Sequence, residues 1–251
     1  MRPLAVLIPT RTDAFLQRLL WSVVAYSDQL VGDHRLIIAD NGLSTGATRR
    51  IQSWAIRMVC VQVPEPFVFA RAVNLAAAAA PPDADLLVCN DDLEFASMRP
   101  LTTFRELLAR EREHGPTVGL LSAAIRGGVG NPDQRGEGLK AGEVGLTPYT
   151  LAFVCVAIRR ETWDAVGPLD EAFVESSFDD ADYCVRAGQA GYGLGVTADV
   201  VVRHHGGDHP EAMSGTLRQR CTPEERTARF EAGRRRFEAK WQKSHEARTR
   251  I

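Results

Sequence analysis

Neither sign of charge dominates this chain. Thirty Lys and Arg stand against 32 Asp and Glu over 251 residues, a formal charge of −2, so there is no global basic field to hold nucleic acid by phosphate neutralisation. Cysteine is scarce and scattered: Cys60, Cys89, Cys155, Cys184 and Cys221 form no C-x-x-C pair and mostly sit inside apolar runs. That excludes a zinc ribbon or a disulfide framework and reads as buried thiols in a reducing compartment. No window approaches the roughly 18 unbroken apolar residues of a membrane span. The five apolar residues Leu4 to Ile8 before Pro9 are too few for a secretory h-region. The expectation is a cytoplasmic protein, with peripheral work at the inner membrane face as the alternative. What is present, 45% hydrophobic and 25% charged residues, is ordinary globular composition with length for one generous core or two small ones.

The apolar pattern alternates between strand and helix. Leu4 to Ile8 is a continuous apolar run closed by Pro9, the mark of a strand buried on both faces, and Ala14 to Tyr26 carries apolar residues at helical spacing. Arg35 to Ala39 predicts a second strand ended by the turn signal Asp40-Asn41-Gly42, and Ala47 to Ile56 a helix. Met58 to Val63 is a third strand, the alanine-rich Ala70 to Ala80 a helix stopped by Pro81-Pro82, and Leu86 to Cys89 a fourth strand. This rhythm implies a parallel sheet covered on both faces. A helix over Leu101 to Glu113 and strands at Val118 to Ser122, Phe153 to Ile158 and Asp199 to Val202 follow. Between Gly127 and Gly145, seven of the 21 glycines cluster and regular order is expected to thin out, as in a binding loop or lid, or a surface loop with no such role. Pro223 to Trp241 is helical in pattern with Phe230, Phe237 and Trp241 near one face. Residues 222–251 carry 9 Lys and Arg against 5 Glu. Packing of the aromatic stripe on the core is preferred over a membrane-surface helix.

Three clusters can carry chemistry. The fourth strand runs into Asn90-Asp91-Asp92, placing two carboxylates and an amide at the carboxyl end of a parallel strand, where open α/β sheets bind ligands. Adjacent acids repel unless a cation sits beside them, and oxygen ligands suit Mg²⁺ or Mn²⁺ completed by substrate phosphates; a helix cap or turn is the structural alternative. Phe178-Asp179-Asp180-Ala181-Asp182 crowds three acids at the start of a candidate helix. The helix dipole accounts for some of that charge, but a carboxylate crowded by others is also a candidate general base. Arg203-His204-His205-Gly206-Gly207-Asp208-His209 holds three of the chain's six histidines just after the last predicted strand, and a His there could share an ion with Asp92.

Taken in order, Asp40-Asn41-Gly42-Leu43-Ser44, Phe69 to Ala76, Leu86 to Asp92, Arg159 to Trp163 with Val166 to Glu171, and Phe178 to Asp182 with Arg186, Ala190-Gly191-Tyr192 and His204 resemble the blocks of family 2 glycosyltransferases. The nearest likeness is to bacterial rhamnosyl- and galactofuranosyltransferase-like members. The resemblance implies a GT-A fold, a Rossmann-like α/β architecture with a mixed, mostly parallel sheet flanked by helices and a C-terminal amphipathic helix. It implies a GT-A domain over residues 1–222 and a C-terminal helical extension over 223–251 packed on it. It implies an inverting transferase that moves a sugar from a UDP-, dTDP- or GDP-sugar to a glycan, lipid-linked or small-molecule acceptor, in cell-surface polysaccharide or glycan synthesis. In that reading Asp92, with His204, ligates Mn²⁺ or Mg²⁺. Asn90 and Asp91 stand beside it, with Asn90 replacing the usual first acid. Asp40 and Asn41 lie near the nucleotide base, Pro9, Thr10 and Arg11 line the first loop, and Arg71 and Asn74 serve the donor or helix packing. Asp180 matches the catalytic base, and Asp179 stands where the family usually has Glu. The rival readings are a sugar-phosphate nucleotidyltransferase, disfavoured because the loop Pro9 to Asp13 has no glycine, and a catalytically silent sugar-nucleotide-binding protein.

Overall fold

The computed structural model describes residues 1–26, 34–44, 58–110, 115–127, 130–174, 177–205 and 222–248. Strand β1 (Leu4–Thr10) leads to helix α1 (Asp13–Ala25), then β2 (Arg35–Asp40), β3 (Met58–Gln62), α2 (Phe69–Ala78), β4 (Asp85–Cys89), β5 (Leu93–Phe95), α3 (Pro100–Leu108) and β6 (Val118–Arg126). A 3-10 turn (Pro132–Arg135), β7 (Val144–Leu146), β8 (Cys155–Ile158), α4 (Arg160–Val166), α5 (Asp179–Gln189), β9 (Gly193–His204) and α6 (Pro223–Arg248) complete the order. The helix expected over Ala47 to Ile56, the segment Gly206 to His209, and Cys221 lie outside the described residues.

One mixed sheet runs β3-β2-β1-β4-β8-β6-β9-β5, with β7 on β9. Strands β1, β2, β3, β4, β6 and β9 share one direction, and β5, β7 and β8 oppose them. Alternation along the strands sorts side chains onto two faces. Leu4, Val6, Ile8, Leu36 and Ile38 pack with Leu16, Leu19 and Leu20 of α1 and Leu101 and Phe104 of α3. Ala5, Leu7, Ile37 and Ala39 pack with Ala70, Val73 and Ala76 of α2 and Tyr183 and Cys184 of α5. Both faces are covered, which is why β1 reads as an unbroken apolar run. Each Leu, Ile, Val or Phe side chain withdrawn from water here contributes about 1.5–3 kcal/mol before conformational entropy is subtracted, and each Ala less. Cys89, Cys155 and Cys184 are buried free thiols, and Cys60 is half-buried.

The glycine-rich stretch is more ordered than its composition suggests. Asn131 and Gln134 form a reciprocal capping box around the 3-10 turn. Gln134 is fully buried, and its amide donates to Ser122 Oγ (2.8 Å) and the Ala152 carbonyl (3.0 Å) while its carbonyl accepts from the Ala152 N–H (2.9 Å). Thr147 donates to Asp133 (2.6 Å), and β7 pairs antiparallel with β9. Polar side chains and backbone pairing supply this order, so hydrophobic periodicity carries no trace of it. Helix α6 lies against the start of α5: Phe178 meets Phe230 and Phe237 at centroid distances of 5.1 and 5.7 Å. Among the described residues no helix is long and apolar enough to cross a membrane.

Candidate functional site

The parallel strands β1, β2 and β4 end at one edge of the sheet, and β9, running the same way, ends there too. Open α/β sheets present ligand-binding groups at this edge. The turn Asn90-Asp91-Asp92 leaves β4 and enters β5, whose Leu93 pairs with His204 in an antiparallel ladder. That pairing sets His204 Nε2 3.2 Å from Asp92 Oδ1, and the Asp92 carbonyl accepts the His205 N–H at 2.9 Å. A register shift in β9 between Thr197 and Val201 lets one strand pair with β7 in its first half and β5 in its second. The structure therefore brings together the two side chains expected to share an ion. His204 Nδ1 is buried with no hydrogen-bond partner. One carboxylate oxygen and one imidazole nitrogen suit a divalent ion of the Mn²⁺ type that takes its remaining ligands from phosphate and water. Among the described residues no group of three or more His, Cys, Asp or Glu is placed to hold a metal ion by itself.

Asp91 has a different task. Its Oδ2 accepts from Thr10 Oγ1 at 2.6 Å and from the Arg11 N–H at 3.5 Å, tying the ends of β1 and β4 together. Burial pushes its carboxyl up to about 7; the Thr10 bond opposes the rise and the Asp92 charge adds to it. Asn90 donates its backbone N–H to the Val154 carbonyl at 2.9 Å, and Pro9 is a buried residue of β1 opposite Ala39. Arg11 spans the mouth between strands, donating to Asn41 Oδ1 and Glu65 Oε1, each at 3.2 Å. Asp40 accepts the N–H groups of Gly42 (2.8 Å) and Leu43 (2.7 Å) on one oxygen and Gln62 Nε2 (2.9 Å) on the other, while Asn41 donates to the Val63 carbonyl (3.3 Å). This buried pair shapes the β2 turn.

Asp180 stands in the first turn of α5. Its Oδ1 accepts the Ala181 N–H (2.7 Å) and its Oδ2 the Phe153 N–H (3.4 Å), next to the Val154 carbonyl that holds Asn90. Burial raises its carboxyl above the ordinary range, against the pull of those backbone donors. Its neighbour Asp179, 3% exposed with Oδ2 unpartnered, is pushed up to about 7 by burial and then by the Asp180 charge. The third acid, Asp182, is fully buried and pairs with Arg186 (3.0 Å) and Lys240 (2.7 Å). Arg71 and Asn74 on α2 contact the segment that follows α4. Arg71 pairs with Glu171 (3.2 Å), and Asn74 exchanges two hydrogen bonds with Leu169, donating to its carbonyl and accepting its N–H, both at 2.9 Å. Sequence reasoning missed the Phe153 amide, Gln62 and Glu65, because a backbone donor has no sequence signal and the other two are polar residues outside any motif.

No family model matches this chain. The uncharacterized protein y4gI of Sinorhizobium fredii is 26% identical over 247 residues; the match covers 90% of this chain, which spans about a quarter of that relative, 26% of its length. Among solved structures, GalNAc-T7 with UDP, GalNAc and Mn²⁺ superposes with TM-score 0.65 at 16% identity, covering 81% of this chain and 44% of that one. S. aureus TarS 1–349 with UDP-GlcNAc gives 0.62 at 16%, covering 86% and 62%. The mannosyltransferase PcManGT of Pyrobaculum calidifontis with GDP-Man and Mn²⁺ gives 0.58 at 19%, covering 81% and 57%. The chain has the GT-A fold: a mixed, mostly parallel sheet flanked by helices, with a C-terminal helix.

Proposed function

We propose that this chain is a metal-dependent, inverting glycosyltransferase that moves a sugar from a nucleoside-diphosphate sugar to an acceptor hydroxyl. The observation that carries the reading is the meeting of Asp92 and His204 at 3.2 Å on the sheet edge where the Phe153 amide holds Asp180 beside the same turn. The superposed structures hold UDP, UDP-GlcNAc, GDP-Man and Mn²⁺, which supports a nucleotide-sugar donor and a divalent ion.

Asp92 and His204 would hold Mn²⁺ or Mg²⁺, with Asn90 beside them and Thr10 fixing the turn through Asp91. The ion would supply charge neutralisation for a departing diphosphate. Arg11 offers a guanidinium at the mouth of β1, released from Asn41 and Glu65 when phosphate competes for it. Asp180 accepts the proton of the acceptor hydroxyl as that oxygen attacks the anomeric carbon on the face opposite the leaving group, which inverts the centre. Its raised pKa makes it a stronger base than an exposed carboxylate while two backbone donors keep it aimed. The acceptor class is a growing cell-surface glycan, a lipid-linked glycan or a small molecule met at the cytoplasmic side. The sequence blocks are most similar to rhamnosyl- and galactofuranosyltransferase-like members, and the donor is a UDP-, dTDP- or GDP-sugar.

The test is a panel of UDP-, dTDP- and GDP-sugars with Mn²⁺. Asp180→Asn is expected to lower turnover by about 10²–10⁴-fold, with donor affinity by calorimetry unchanged. Asp92→Ala is expected to weaken donor binding only when metal is present. Wild-type turnover in Asp180→Asn, or a metal-independent donor affinity equal in both proteins, overturns the assignment.

A further inference from the structure

Helix α6 grips the turn that carries Asp180. Lys240 Nζ bridges Asp170 and the fully buried Asp182, each at 2.7 Å, and Trp241 Nε1 donates to the same Asp182 carboxylate at 3.1 Å. Phe178, two residues before Asp180, caps α5 at φ 66°, a left-handed conformation that a non-glycine residue rarely adopts. Its ring is covered from α6 by Phe230 and Phe237. At Gly233 the α6 backbone passes so close to Ser177 that a Cβ would overlap the Ser177 hydroxyl. Strain of this kind persists only where the surroundings over-determine it. Here the surroundings are one helix from the far end of the chain, fastened at Gly233, Phe237, Lys240 and Trp241.

We propose that α6 is a positioning element for Asp180, and that Lys240 and Trp241 act on that carboxylate through Asp182. The Asp182 N–H donates to the Phe178 carbonyl at 2.9 Å, closing the first turn of α5 around Asp179 and Asp180. Holding the Asp182 carboxylate with Lys240, Trp241 and Arg186 thus fixes the turn from its side-chain end, while the aromatic pair fixes Phe178. Removing Lys240 leaves a buried carboxylate with incomplete compensation, and the first turn of α5 is where that cost is relieved. The inference rests on the proposed role of Asp180, so the experiment reads the clamp and the chemistry separately.

Hydrogen exchange on the ligand-free 251-residue chain is compared for wild type, Lys240→Met, Lys240→Arg and Trp241→Phe. Lys240→Met is expected to speed exchange of the amides of residues 179–185 by about tenfold or more, with β1 and β4 unchanged. On whichever UDP-, dTDP- or GDP-sugar the wild type turns over, kcat is expected to fall about 10- to 100-fold while donor KM stays within about twofold, because a misplaced base costs rate and not donor affinity. Lys240→Arg should recover most of both losses, and Trp241→Phe, which keeps an aromatic ring of smaller size and removes one donor, should show smaller changes of the same kind. Unchanged exchange in residues 179–185 overturns the clamp. Faster exchange with unchanged kcat overturns its positioning role, and so does a kcat loss in Lys240→Met that Lys240→Arg does not repair. A wild type that turns over no donor defeats the transferase reading, while the exchange data still decide the clamp.

Discussion

Asp179 and Asp180 are neighbours in sequence with opposite fates, and burial decides both. Asp180 spends its two oxygens on backbone donors, whereas Asp179 keeps one oxygen buried without a partner and is pushed up to about 7 by burial and by the Asp180 charge. In the unfolded chain that carboxyl titrates near 3.9. Between the two values the folded state holds the extra proton, so the contribution of Asp179 to stability is whole below about pH 4 and is lost as pH rises to about 7. Asp179→Asn removes the titration and keeps the shape. Its stability relative to wild type is expected to rise with pH by roughly 1 kcal/mol per unit between pH 5 and 7 and to level off above, as read from urea melts at each pH. A difference that is flat across that range would sink the assignment. The acid cluster was visible in the sequence, but which acid pairs with cations, which accepts backbone donors and which is stranded depends on Phe153, Lys240 and Trp241, all more than 25 residues away.

At the scale of elements, Gly127 shows what one glycine of the rich segment is for. It sits at φ 104°, where a Cβ would overlap the His204 carbonyl oxygen, so the end of β6 can approach the end of β9 only without a side chain. Gly127→Ala is expected to cost about 1–3 kcal/mol and to weaken Mn²⁺-dependent donor binding by shifting His204, measured by denaturant melts and calorimetry together. Full stability with full affinity in that variant would remove the close approach from the account of the site. The long or strongly apolar elements, β1, α1, β2, α2 and β4, were legible because their patterns are dense. Three-residue β5 and β7 were not, since neither has enough residues to show a period, and β5 is the strand that brings His204 to Asp92. Strand β9 runs from Gly193 to His204 although only Asp199 to Val202 reads as a strand, because its first half is held by β6 and β7 and not by its own propensity.

For the whole molecule, the candidate site is assembled from segments that span Thr10 to His204, so a ligand that engages it should stabilise the chain as a unit. A nucleoside-diphosphate sugar at about 100 times its Kd, with Mn²⁺, is expected to add about 2.7 kcal/mol and raise Tm by roughly 5–10 °C, more than donor or metal alone. Asp92→Ala should abolish the metal-dependent share. Equal Tm values for donor with and without Mn²⁺, at saturating donor, would argue against a shared ion.

Local pattern in the chain determined most of the α/β order, the burial of β1 and the identities of the acids and histidines, because periodicity, Pro and Gly punctuation and strand-end carboxylates act over a few residues. Only the tertiary structure decided that Asp92 faces His204, that Asp91 serves Thr10, that Gln134 plugs the glycine-rich segment and that α6 seizes Asp182. Those outcomes turn on strand register and on hydrogen bonds between residues distant in sequence, and the strength of such contacts is set by desolvation and distance, which exist only once the chain has closed on itself.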